Sequence, residues 1–83
     1  MLQIVRNAKS LGAALRNARR AQSLTQENLA KKTNLQQRTI SQIENGVEGV
    51  RLSTMTDILR ALDLELVIQR RSKGAPQDIE EMF

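Results

Sequence analysis

Apolar residues recur at intervals of three and four along the first two thirds of the chain, which is the spacing of an amphipathic α-helix. The first run predicts a helix over residues 11–22, with Ser10 as its N-cap. Its buried stripe is predicted to consist of Leu11, Ala14, Leu15 and Ala18. The basic residues of the same run are expected to lie away from that stripe: Arg16, Arg19 and Arg20.

Two shorter helices, joined by a tight turn, are predicted to follow. Thr25 is a suitable N-cap for the first of them, because its side-chain oxygen can accept from the free amides of the first turn. Leu29 and Ala30 form the inner face of this helix. The turn is expected at residues 33–36, where Asn34 tolerates the left-handed backbone that ends a helix.

The helix after the turn is predicted over residues 36–44, with Ile40 and Ile43 buried three residues apart on one face. Gly46 is placed to end it, since glycine accepts a positive φ. We expect Glu44, at the end of this helix, to form an internal ion pair with a nearby Arg or Lys. The remaining polar residues lie outward or near the edge of the helix: Gln37, Arg38, Thr39, Ser41 and Gln42.

The last third of the chain combines a fourth helix with a change of period. Ser53 is the predicted N-cap of a helix over residues 54–62, and Leu52 is a candidate staple before it. Apolar and polar residues then alternate over residues 64–69, which favours a β-strand over one further helical turn. A strand needs a partner, either the weak 2–5 segment or a second copy. We expect a two-fold dimer that pairs through Leu64, Leu66, Val67 and Ile68.

The 83 residues allow one domain at residues 10–71, between an N-terminal extension at 1–9 and a flexible tail at 72–83. The tail is rich in Gly, Pro, Gln and acids, and its end is either disordered or a docking motif for a partner through Met82 and Phe83. No apolar run is long enough to span a membrane, and the N-terminus lacks a signal peptide. A cytoplasmic, nucleoid-associated protein is the expectation.

Composition narrows the classes of function. The sequence contains no Cys and no His, which excludes disulfides and thiolate zinc sites and removes the usual general base. We therefore expect no enzyme activity, no metal and no cofactor. Residues 1–51 hold nine Lys/Arg and three acids, a balance of +6, whereas residues 52–83 hold four and six, a balance of −2. The basic part includes the two-helix segment, as a phosphate-binding surface requires, although basic surface helices are also common without such a role.

The helix pair resembles the helix-turn-helix of the phage-repressor (Cro/C1, or XRE) family over roughly residues 11–62. The residues that carry the resemblance are Leu24-Thr25-Gln26, Leu29-Ala30, Ile40-Ser41 and Ile43-Glu44-Asn45-Gly46. It implies a lambda-repressor-like, all-α domain of four to five short helices, whose recognition helix reads DNA bases with Gln37, Arg38, Thr39 and Gln42. Gln26 resembles the family glutamine that touches a phosphate and braces the recognition glutamine. The expected contacts to the DNA backbone are Gln26, Ser41, Asn45, Lys31, Lys32, Arg16 and Arg19, with Lys9 on the surrounding basic surface.

A looser resemblance covers the rest of the domain. Residues 51–54, the following helix and residues 64–71 are similar to HipB-type antitoxins, in which a strand after the last helix pairs across a dimer. This likeness implies a type II toxin–antitoxin pair with a HipA-type Ser/Thr kinase toxin as the partner. The antitoxin would neutralise the kinase and repress the shared operon at a palindromic operator. The alternatives are a phage-type or other repressor without a kinase partner, and a protein-interaction module that does not bind DNA.

Overall fold

The computed structural model describes residues 3–71, which form a bundle of helices. The four helices of this range are α1 (Ala8–Ala21), α2 (Gln26–Thr33), α3 (Gln37–Glu44) and α4 (Leu52–Ala61). Helix α3 packs against both α1 and α2, and α2 also packs against α4. The all-α prediction with four short helices is confirmed.

Helix α1 begins earlier than the sequence suggested. Asn7, not Ser10, is the N-cap, and its side-chain oxygen accepts a hydrogen bond from the Ser10 amide at 2.8 Å. The Ser10 hydroxyl in turn accepts from the backbone amide of Asn7 at 3.1 Å. Asn and Ser are both favourable N-cap residues. With Asn7 as the N-cap, the two side chains satisfy the backbone amides of Ser10 and Asn7 reciprocally, which is the arrangement called a capping box. The prediction of Ser10 as N-cap was therefore wrong by three residues.

The helix-turn-helix itself follows the predicted caps. Thr25 caps α2 and exchanges hydrogen bonds with Asn28, at 3.0 Å and 3.1 Å. Asn34 ends the helix in the left-handed region, with φ of 57°. Leu35 is partly buried against the core, and its amide donates to the carbonyl of Ala30 at 3.0 Å. Leu35 thereby attaches the turn to α2 and to the core.

The core lies where the sequence pattern placed it. Within residues 3–71 its buried apolar residues are Leu15, Leu29, Ala30, Ile40, Ile43, Met55, Ile58, Leu59 and Leu62. Leu11 and Ala18 pack against this cluster from the predicted stripe of α1. Each fully buried leucine or isoleucine contributes roughly 1.5–3 kcal/mol relative to exposure, so this cluster is the main source of stability.

The start of α4 differs from the prediction. The helix begins at Leu52, and the residue in the N-cap position is Arg51, which makes no side-chain capping bond. Ser53 therefore lies inside the first turn, where its carbonyl accepts from the Thr56 hydroxyl at 2.9 Å. Leu52 is 70% exposed and is not a staple. Packing of the preceding Val50 against the core, rather than a cap, brings the chain into this helix.

Residues 64–70 adopt no regular secondary structure and make no ladder hydrogen bonds, and residues 3–71 contain no strand. The predicted strand is not confirmed, because a strand requires a neighbour and the described part of one chain supplies none. Asp63, with φ of 56°, turns the chain out of α4, and Leu64 donates back to the Leu59 carbonyl at 2.8 Å. The pairing of two copies through residues 64–68 stays a prediction.

The apolar side chains expected at the dimer contact are exposed: Leu64, Leu66, Val67 and Ile68. Together with Ile4 and Val5 they line an open groove of about 990 Å³ beside α1 and α4. The predicted docking residues Met82 and Phe83, like the tail at 72–83, lie outside the described residues. Within residues 3–71, no helix combines the length and hydropathy needed to cross a bilayer.

Candidate nucleic-acid interface

The outer face of α3 presents the predicted reading residues. Gln37, Arg38 and Gln42 are exposed, while Ile40 and Ile43 on the opposite face are buried. Within residues 3–71 the three exposed side chains make no hydrogen bond or ion pair. Their donors and acceptors are therefore available to another molecule.

Thr39 and Ser41 lie at the edges of this face and are half-buried. The Ser41 hydroxyl is 3.5 Å from Nδ2 of Asn45, at the outer limit of a hydrogen bond. Both side chains border the exposed face, as the sequence suggested. Their predicted roles, Thr39 at a base and Ser41 at the backbone, stay predictions.

A buried carboxylate lies at the end of α3. Glu44 Oε2 accepts from Arg19 Nε at 2.7 Å, and Oε1 accepts from Arg19 Nη2 at 3.0 Å. Oε1 also accepts from Gln26 Nε2 at 3.1 Å and lies 3.5 Å from Arg16 Nε. The expected internal pairing of Glu44 is confirmed. The cluster joins α1, α2 and α3.

The charges of this cluster stabilise each other. Burial raises the pKa of Glu44, but hydrogen bonds from Arg19 and Gln26 together with the charge of Arg19 outweigh it and leave that pKa below its ordinary value. The hydrogen bond to Glu44 raises the pKa of Arg19 against the opposing effect of burial. Both groups are therefore ionised at neutral pH.

Arg19 corrects a prediction. It was expected to lie away from the buried stripe and to contact phosphate, yet only 7% of the residue is exposed. Besides its two bonds to Glu44, the guanidinium donates to the Leu24 carbonyl at 2.7 Å. Arg19 lies one turn after Leu15, on the same face of α1, and that spacing was the missed signal. We no longer place Arg19 among the phosphate contacts.

Gln26 and Asn45 are held by neighbouring charged groups. Gln26 Nε2 donates to Glu44, not to the recognition glutamine that the resemblance implied. Asn45 follows α3 as its C-cap, and its Oδ1 accepts from Arg16 Nη2 at 2.9 Å. The Arg16 side chain is 34% exposed, so it lies at the edge of the surface.

The lysines of α2 are exposed, as a phosphate-facing surface requires. Lys31 pairs with Glu27 at 3.6 Å, and both side chains are more than half exposed. Such a pair contributes little to stability and leaves the ammonium accessible. Lys32 and Lys9 are exposed as well. Their contacts with phosphate remain predicted.

Gly12, which the sequence pattern did not single out, is buried where α1 meets the end of α3. A Cβ at this position would lie 2.7 Å from the Glu44 carbonyl oxygen and would also collide with the carbonyl of Ile43. Only glycine therefore lets α1 approach the end of α3 so closely. A glycine inside a helical run, where alanine is intrinsically better, was the available signal.

No cluster of acidic, His or Cys side chains suited to a metal ion occurs within residues 3–71. The arrangement is instead a polar helix face with a buried ion-pair cluster at the end of the helix, in a domain whose exposed basic side chains include Lys31 and Lys32. It is able to present amide and guanidinium groups to a surface of matching hydrogen-bond pattern.

Comparisons with known proteins agree with this geometry. A family model described as "Helix-turn-helix" matches residues 15–69. An uncharacterized HTH-type transcriptional regulator of Sinorhizobium fredii, y4dL, is 46% identical over 54 residues, which are 65% of this chain and 28% of that protein. Antitoxin HipB of Escherichia coli K12 is 30% identical over 79 residues, covering 95% of this chain and 90% of HipB.

Solved structures give the same result. The structure of a "HipB-O4 20mer complex" has a TM-score of 0.75 at 32% identity and covers 82% of this chain and 96% of that one. A "HipA-HipB-O2-O3 complex" matches with the same TM-score, identity and coverage. The restriction-modification controller protein C.AhdI of Aeromonas hydrophila has a TM-score of 0.66 at 33% identity, covering 70% of this chain and 84% of that one. The chain belongs to the Cro/C1-type (XRE) helix-turn-helix family of DNA-binding regulators, in which antitoxin HipB is a relative over nearly its whole length.

Proposed function

We propose that the protein is a sequence-specific operator-binding repressor that also acts as the antitoxin of a HipA-type Ser/Thr kinase toxin and represses its own operon. The observation that carries the DNA-reading part is the outer face of α3. Its amide and guanidinium side chains are exposed and, within residues 3–71, have no partner, while the opposite face anchors the helix in the core.

The chemistry of that face fits base edges in a major groove. Gln37 and Gln42 each carry an amide able to bond bidentately to adenine, and Arg38 has the fork that matches guanine. The Thr39 methyl group suits a thymine methyl. Phosphates on either side would meet basic, amide and hydroxyl side chains: Lys31, Lys32, Arg16, Gln26, Ser41 and Asn45.

A palindromic operator requires two copies of this face. Pairing of residues 64–68 from two chains would cover exposed apolar side chains and supply the missing ladder bonds. Two recognition helices would then meet major grooves about 34 Å apart on one side of the duplex. We therefore include a homodimer in the proposed function.

The antitoxin part rests on the relationship to HipB, which extends over almost the full length of both proteins. A HipB structure that this chain resembles also contains HipA. The test is co-expression with the kinase-like protein of the neighbouring reading frame. Co-purification of the two proteins and relief of the growth arrest caused by the kinase support the antitoxin role. A neighbouring frame unrelated to kinases favours the second candidate.

That second candidate is a repressor without a kinase partner, and the similarity to y4dL and to the controller protein C.AhdI favours it. It shares the DNA-reading face, so DNA assays do not separate the two. A module that binds only proteins differs from both candidates, because it would not bind a specific DNA duplex with an affinity that falls as the salt concentration rises.

The DNA-reading role is tested with a duplex selected from a randomised library. Arg38→Ala should weaken binding to that duplex by roughly 1–3 kcal/mol, with relaxed preference at one guanine. Arg60→Ala is the matched control, since Arg60 is an exposed arginine on α4 whose pairing with Asp57 spans 3.6 Å. Equal affinity of wild type and Arg38→Ala in a gel-shift series would remove Arg38 from the base contacts.

A further inference from the structure

Glu44 contacts more side chains than are needed to neutralise the charge of its carboxylate. The two-pronged contact with Arg19 already matches its charge, yet Oε1 also accepts from Gln26 Nε2 at 3.1 Å and lies 3.5 Å from Arg16 Nε. These extra partners extend towards the surface, where Gln26 is half-buried and Arg16 about one third exposed. The buried acid thus touches residues of the candidate DNA surface.

A carboxylate has only acceptors, so it decides which end of a neighbouring amide faces it. Gln26 must turn its NH2 group to Glu44, and its carbonyl oxygen Oε1 is left for another donor. The guanidinium of Arg16 has only donors, so Asn45 must turn Oδ1 to it at 2.9 Å. The Asn45 NH2 group is then directed away from Arg16, with only the long 3.5 Å contact to Ser41.

We propose that Glu44 is a positioning residue that sets the polarity of two DNA-facing amides, directly at Gln26 and through Arg16 at Asn45. Gln26 thereby presents its Oε1 acceptor, which suits an N–H group of a base or of a recognition side chain, while the second N–H of its NH2 group is left to donate to a phosphate oxygen. Asn45 presents a donor, which suits a phosphate oxygen. This inference rests on the proposed DNA-reading function and adds which atoms of each amide face the duplex.

The orientation of the amides is measurable without DNA. In a side-chain ¹H–¹⁵N spectrum of the wild type, the NH2 pair of Gln26 should be shifted away from those of exposed Gln37 and Gln42 and exchange more slowly. Glu44→Gln keeps the shape of the side chain but offers both a donor and an acceptor, so the Gln26 pair should move towards the exposed positions. Unchanged Gln26 resonances in folded Glu44→Gln protein would overturn the proposal.

Coupling in DNA binding separates positioning from plain stability. On the selected duplex, Gln26→Ala should weaken affinity about two- to tenfold in the wild type and hardly at all in a Glu44→Gln background. Additive losses in the double variant would show that Glu44 acts only on the fold. Asp57→Asn removes one negative charge from the exposed face of α4 and should leave affinity unchanged.

A second cycle leaves the buried ion pair intact and applies even if Glu44→Gln does not fold. Asn45→Ala should weaken binding when Arg16 is present and have little further effect in an Arg16→Ala background. Independent effects of these two changes would overturn the Asn45 half of the proposal. If the wild type selects no duplex at all, the DNA-reading function fails, while the spectrum of Gln26 still decides the amide orientation.

Discussion

The guanidinium of Arg19 on α1 and the carboxylate of Glu44 on α3 form a two-pronged ion pair, with N–O distances of 2.7 Å and 3.0 Å. Only 8% and 1% of the two side chains are exposed. The pair is therefore a fixed connection between the first helix and the end of the recognition helix. Its strength follows from short, charge-assisted bonds in a place that water does not reach.

Removing one partner of this pair should strongly destabilise the fold. Glu44→Ala leaves the Arg19 charge buried without a counter-ion, and we expect a loss of about 3–5 kcal/mol in the free energy of unfolding. Urea unfolding followed by circular dichroism measures it. Asp57→Ala breaks an exposed pair of 3.6 Å and should change stability by less than about 1 kcal/mol. Similar effects of the two variants would contradict the buried pair.

Acid should weaken the fold through the same carboxylate. The pKa of Glu44 is lower in the folded chain than its ordinary value of 4.5, so the unfolded chain binds its proton more readily. Its contribution is complete above the ordinary value and is lost as pH falls through the lower, folded pKa. The stability difference between wild type and Glu44→Gln should therefore shrink as the pH falls below that ordinary value. A difference that grows with acid would reverse the assigned direction.

Alanine at position 12 should destabilise the protein, although alanine is normally the better helix former by about 1 kcal/mol. A Cβ on Gly12 would lie 2.7 Å from the Glu44 carbonyl oxygen, so α1 and α3 would have to move apart. We expect a loss of roughly 1–3 kcal/mol in thermal or urea unfolding. Ala13→Gly, at the exposed neighbouring position, is the control, because it measures only the difference in helix propensity between Ala and Gly. A stabilised Gly12→Ala variant would be incompatible with the close helix contact.

Val67→Pro tests the predicted dimer. Proline removes a backbone donor from the ladder, so it should shift the molecule towards the monomer if residues 64–68 pair across a two-fold axis. Val67→Ala keeps the donor and serves as the control. Sedimentation equilibrium distinguishes the two species. An equally tight dimer for both variants would place the contact elsewhere.

Local chemistry was enough to predict the helix-turn-helix. Thr25 and Asn34 occupy the cap positions that their side chains favour, and the apolar residues at helical spacing form the core. Ser10 and Ser53 show the limit of this reasoning. Helix α1 uses another suitable cap, Asn7, and α4 begins after Arg51, which makes no capping bond, so packing overrides the local preference for a cap.

The all-α core and the polar outer face of α3 follow from the order of residues alone, because helical periodicity places residues on faces before any tertiary contact forms. The partner of each charge depends instead on how the helices pack. Arg19 and Arg16 are both basic residues of α1, yet one is buried against Glu44 and the other reaches Asn45 at the surface. Arg19 and Glu44 are 25 positions apart in the chain, and they meet only because α1 packs on α3 at Gly12. No local sequence pattern predicts a contact over that separation.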